Sequence, residues 1–150
     1  MRFFVANARK YGYNIFAHKK KSGDVPMIKI LLVDDEIYAR DNMARLLQRR
    51  GFDVCVAGNA DECLKAVKEE SPDVIFLDIM LPDLDGDHLF YYIKEINTSA
   101  LIYFITGSGT IFTEEHAKEL GAAGYMQKPV YVENLFALLE EIKTKVKKEV

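Results

Sequence analysis

Residues Val74 to Gly86 read VIFLDIMLPDLDG. Four apolar residues run into a single carboxylate, Asp78, and a loop rich in Asp, Pro and Gly follows. A run of Val, Ile, Phe and Leu without alternation predicts a strand buried on both faces, and such strands belong to parallel sheets covered by helices. Asp78 then stands where that strand ends. In an open parallel sheet, ligands bind beyond the carboxyl ends of the strands, so an acid there is a site candidate by position alone. An Asp in this place also serves as an ordinary turn cap, and the rest of the chain decides between the two.

Outward from this strand the chain alternates strand and helix. Met27 to Val33 (MIKILLV) and Phe52 to Ala57 are strands, and between them Ile37 to Arg50 is a helix stopped by Gly51. Ala60 to Glu70 is a second helix, ended by Ser71-Pro72. His88 to Ile96 is the third helix, Leu101 to Thr106 the fourth strand, Phe112 to Leu120 the fourth helix and Gly124 to Gln127 the fifth strand. From Val132 onward, Leu135, Leu138, Leu139, Ile142 and Val146 form one stripe of a fifth helix, read as a core face. Five strands and five helices in strict alternation predict an α/β, doubly wound parallel sheet with right-handed crossovers and helices on both sides.

Within that frame the polar residues converge. Asp34 and Asp35 end the first strand, Asp78 the third and Thr106 the fourth, while Lys128 follows the fifth. All lie at carboxyl ends, which share one edge of the sheet, whereas independent caps would scatter over both edges. Three clustered carboxylates repel one another unless a cation joins them, and all-oxygen ligands suit Mg²⁺, which keeps positions for phosphate oxygens. A carboxylate can also attack phosphorus to give an aspartyl phosphate. The Lys128 ammonium, the Thr106 hydroxyl and the metal would then meet the added charge, which is the work phosphoryl transfer requires.

LLVDDE at Leu31 to Glu36, LDIMLPDLDG at Leu77 to Gly86, FITGSG at Phe104 to Gly109 and GYMQKPV at Gly124 to Val130, in this order and spacing, resemble the receiver domain of two-component response regulators. The resemblance covers Met27 to about Lys148. It implies a flavodoxin-like sheet of order 2-1-3-4-5, counting the five strands above. It implies that Asp78 is the phosphoacceptor, that Asp34 or Asp35 with Asp78 and the Met80 carbonyl hold Mg²⁺, and that Lys128 binds the phosphoryl group. Thr106 would be the switch hydroxyl and Tyr125 the switch aromatic, although a tyrosine there also serves as a half-buried packing residue. A cis Lys128-Pro129 peptide is implied as well. The function expected is that of a phosphoacceptor switch taking its phosphoryl group from a histidine kinase or phosphotransfer protein and signalling to a downstream target protein, rather than that of an enzyme with turnover. Two alternatives are an aspartate-nucleophile phosphohydrolase and a receiver-like interaction module that never carries phosphate. Dehalogenase-like phosphatases place a second acid, the proton shuttle, where this chain has Met80. The complete acidic set with Lys128 speaks against the second alternative.

The net charge of −3 hides a division. Residues 1–26 hold six bases and one acid, +5; residues 27–150 hold 14 bases and 22 acids, −8. We therefore expect a basic N-terminal extension over 1–26, with five aromatics and the linker-like KKKSGDVP, ahead of a domain over 27–150. An acidic body argues against nucleic acid as a direct partner, and Lys143 to Val150 is too short for a DNA-binding output module. No apolar run approaches a membrane span or a secretory h-region, so the chain reads as cytoplasmic. Cys55 and Cys63 read as buried, reduced thiols, His18, His88 and His116 as surface residues, and Gly107-Ser108-Gly109 as a flexible loop beside the site.

Overall fold

The computed structural model describes residues 4–5, 27–107 and 110–149. Its elements run β1 (Phe4–Val5), β2 (Lys29–Val33), α1 (Ile37–Arg49), β3 (Asp53–Ala57), α2 (Ala60–Glu70), β4 (Val74–Asp78), α3 (Gly86–Ile96), β5 (Leu101–Thr106), α4 (Glu114–Leu120), β6 (Gly124–Gln127) and α5 (Val132–Glu149). The sheet order is β1-β6-β5-β4-β2-β3. All pairs from β2 to β6 are parallel, so those five strands, counted among themselves, run 2-1-3-4-5 as expected. β1, which the sequence pattern does not announce, adds a sixth, antiparallel strand on the outer edge of β6. The rest of the expected N-terminal extension lies outside the described residues, as do His18, Ser108, Gly109 and the side chain of Val146.

Every residue of β4 is buried, which explains its unbroken apolar run. Side chains alternate between the two faces of a strand, so Ile75 and Leu77 enter the layer beneath α2, α3 and α4, with Cys63, Leu89, Phe90, Ile93 and Ala117. Val74 and Phe76 enter the opposite layer, with Ala44 and Leu47 of α1 and Leu135, Leu138, Leu139 and Ile142 of α5. The expected core stripe of α5 is thus buried through Ile142. Gly51 (φ +86°) and Gly121 (φ +87°) close α1 and α4 in the left-handed region that glycine enters without a Cβ penalty. Two helix starts differ from the sequence reading. α3 begins at Gly86 rather than His88, and α4 begins only at Glu114, where the Thr113 side chain accepts from the His116 N–H. Cys63 is fully buried, Cys55 half-buried, and neither is in a disulfide. His88 is exposed as expected, but His116 is half-buried, its ring centred 4.7 Å from that of Phe112. Among the described residues, no helix is long and apolar enough to cross a membrane.

Candidate functional site

The parallel register brings the site to one level of the sheet. Val33 pairs with Leu77, Asp78 with Ile105, and Thr106 with Gln127, so Asp34, Asp78, Thr106 and Lys128 emerge side by side. Backbone bonds carry the ladders past the strand ends. The Asp34 N–H donates to Ala57 O (3.0 Å), Ile79 N–H to Ile105 O (3.1 Å) and Lys128 N–H to Thr106 O (2.7 Å). The Lys128-Pro129 peptide is cis.

One cation serves several acids. Lys128 Nζ lies 2.8 Å from Asp78 Oδ2, 3.1 Å from Asp34 Oδ2 and 3.6 Å from Glu36 Oε1. The other Asp78 oxygen, Oδ1, accepts from the Met80 N–H at 2.9 Å. Asp78 and Thr106 are buried, at 3% and 0% exposure, although both are polar. Asp34, Asp35 and Asp78 each offer a carboxylate oxygen within 4.8 Å of the others. Met80 is 64% exposed on the loop that follows.

Burial pushes the Asp78 carboxyl above the ordinary range and Asp34 adds to the rise, against the pull of Lys128 and the Met80 N–H. For Lys128, burial works against the charge, but its bonds to Asp78 and Asp34 outweigh that and raise its pKa. Both shifts run the same way, toward more bound positive charge. A cluster of hard oxygen donors short of positive charge fits a divalent cation such as Mg²⁺.

On the opposite side of β5, Thr106 Oγ1 donates to Tyr125 Oη at 3.1 Å, and Tyr125 in turn donates to Phe112 O at 3.3 Å. Tyr125 is half-buried, its ring stacked on Phe112 at 6.3 Å. It is therefore both a packing tyrosine and the neighbour of the Thr106 hydroxyl.

The structure adds residues that the sequence reading left without a role. Glu36 donates its N–H to Asp34 Oδ1 (2.9 Å) and reaches Lys128. Arg40, one turn into α1, donates to the Asp34 carbonyl at 3.4 Å. Asp83, in the loop after β4, does not face Lys128; its carboxylate accepts the N–H groups of Ala60 and Asp61 and so ties that loop to the start of α2. Glu36 stands inside the LLVDDE stretch and Asp83 inside LDIMLPDLDG, but nothing in either string says which acid turns toward which partner. A cavity of about 590 Å³ opens beside the site, lined in part by Asp34, Glu36, Arg40, Met43, Lys128 and Pro129.

Residues 30–140 match a family described as the response regulator receiver domain. The chain is 39% identical over 101 residues to the alkaline phosphatase synthesis transcriptional regulatory protein PhoP of Bacillus subtilis, covering 67% of this chain and 42% of that protein. It is 35% identical over 112 residues to the transcriptional regulatory protein TrcR of Mycobacterium tuberculosis, covering 75% and 44%. The chain thus spans less than half the length of these two relatives. Both are named as transcriptional regulators, and they lend no support to the expectation that DNA is not contacted. Among solved structures, a response regulator from Burkholderia pseudomallei with a phosphorylated aspartic acid, calcium ion and citrate matches with a TM-score of 0.69 and 33% identity, over 81% of this chain and 72% of that one. A CheY-like receiver domain protein from Methanospirillum hungatei matches with a TM-score of 0.75 and 26% identity, over 83% and 100%.

Proposed function

Since the chain belongs to the response regulator receiver domain family, we propose that it accepts a phosphoryl group on Asp78 from a phosphohistidine donor, in a reaction that depends on Mg²⁺. The observation that carries this reading is the shared grip of Lys128 Nζ on Asp78 Oδ2 and Asp34 Oδ2, at 2.8 and 3.1 Å, at the mouth of the three-carboxylate cluster. An Asp78 oxygen attacks phosphorus, the bond to the donor's imidazole nitrogen breaks, and the electron pair leaves with the ring, which takes up a proton. Asp34, Asp35 and Asp78 with the Met80 carbonyl would hold Mg²⁺, which when bound neutralises charge on the phosphoryl oxygens. The Met80 N–H steadies one Asp78 oxygen throughout. Lys128, already beside Asp78, meets the charge that arrives. The Thr106 hydroxyl then has a stronger acceptor than Tyr125 Oη, and release of Tyr125 from that bond is the signal carried to a downstream target.

The phosphohydrolase alternative lacks its proton shuttle, because Met80 stands at the second-acid position. Incubation with Mg²⁺ and a small acyl phosphate, followed by intact mass, tests the proposal. The expected result is gain of one phosphoryl group, removed by hydroxylamine and absent both in Asp78→Asn and without a divalent cation. An amide is a poor nucleophile and a weak metal ligand. A wild-type chain that stays unmodified, or an Asp78→Asn chain that gains phosphate at the same rate, would overturn it.

A further inference from the structure

β6 is the last parallel strand of the sheet, and its outer edge would present unpaired backbone groups if β1 did not lie on it. Edges of this kind template pairing with other chains unless charge, proline or a bulge blunts them. Gly124 to Gln127 (GYMQ) contains no charged residue and no proline. The opposite edge strand, β3, starts instead with the half-exposed Asp53. What β6 has is Phe4 paired with Tyr125 and Val5 with Gly124, antiparallel.

The direction of that pairing matters. Because β1 runs against β6, Val5 leaves at the amino ends of the parallel strands, the end at which β2 begins with Lys29. From β1 to β2 is four strand spacings, about 19 Å. The residues between Val5 and Lys29 are numerous enough to span this when extended, so β1 can be delivered by its own molecule. The charges of residues 1–26 (+5) and of the body (−8) favour seating of the extension on the body.

We propose that Phe4–Val5 is an intrachain guard strand: seated, it withholds the β6 edge from antiparallel pairing with the same edge of a second copy, and unseated, it opens that edge to it. A strand docking on its own two-fold mate makes a self-complementary contact, which any edge free on both copies can form. Among the described residues this ladder is two residues long, and so short a ladder is readily displaced. The inference is independent of the chemistry at Asp78.

The 150-residue chain carrying Phe4→Pro and Val5→Pro tests it, since proline cannot donate to a ladder. By hydrogen exchange, those backbone amides of β6 that point toward β1 should exchange faster in the variant by on the order of tenfold, with Ile30 to Leu32 unchanged. Sedimentation should show self-association of the variant that grows with concentration. Adding Gln127→Lys, a charge on the exposed end of β6, should suppress it. If the proline variant does not fold, Phe4→Gly with Val5→Gly, which keeps both N–H groups, carries the same expectations at smaller amplitude. Unchanged exchange at β6 would overturn the seating. Faster exchange without self-association, or self-association indifferent to Gln127→Lys, would overturn the β6 edge as the surface used. Loss of wild-type protection on dilution would assign the strand to a second copy and overturn the intrachain assignment.

Discussion

At Lys128, one ammonium is shared by Asp78, Asp34 and Glu36, so removing it leaves three carboxylates facing one another without that compensation. In Lys128→Ala, phosphate uptake from a small phosphodonor should slow by roughly tenfold to a hundredfold without vanishing. The change in the Tyr125 ring resonances on phosphodonor addition should shrink. A variant that takes up phosphate at the wild-type rate and moves Tyr125 normally would remove Lys128 from the mechanism. Lys94 shows the opposite use of a lysine. Burial pushes its amine down to about 8, and its Nζ donates to Ala100 O at 2.6 Å, closing the turn from α3 into β5. The folded state releases this proton at a pH where the unfolded chain still holds it, so stability should rise with pH from about 8 toward the ordinary lysine value. Melting temperatures across that window should climb in the wild type and stay flatter in Lys94→Met.

Among the elements, the loop from β4 to α3 is held by contacts on three sides. Met80 and Asp85 form an isolated antiparallel bridge, Gly86 N–H donates to Ile79 O at 3.0 Å, and Asp83 grips the first amides of α2. A Cβ on Gly86 would stand 2.8 Å from Ile79 Cα and 3.2 Å from Asp78 O, so glycine is required there by close backbone approach, not by a left-handed φ. Gly86→Ala should therefore push the backbone that carries Asp78 and Met80. A loss of about 1–3 kcal/mol in urea unfolding, with reduced phosphate uptake, is expected. Wild-type values for both would show that the turn has room to adjust.

For the molecule as a whole, two apolar layers sandwich the sheet, and among the residues whose side chains are described every core residue lies at or beyond Ile28. A chain running from Met27 to Val150 should keep a single cooperative melting transition and its phosphate uptake. Failure to fold would move the domain boundary toward the N-terminus. Such a chain also lacks β1, so cooperative folding combined with self-association would agree with the guard strand.

Most of the architecture was legible in the residue order because strands buried on both faces are apolar without alternation, and because helices between them end in local signals such as Gly51 and Gly121. The row of Asp34, Asp78, Thr106 and Lys128 was legible for a related reason: in a parallel sheet each strand's carboxyl end reaches the same edge, so position along the chain translates into place at the site. The allotment of partners was not. Whether Glu36 or Asp35 approaches Lys128, that Asp83 turns away to α2, and that Tyr125 accepts from Thr106 depend on turns and rotamers decided by packing. β1 was not legible either. Two residues carry no periodicity, and an edge strand forms only because another strand's unpaired backbone is already in place to receive it.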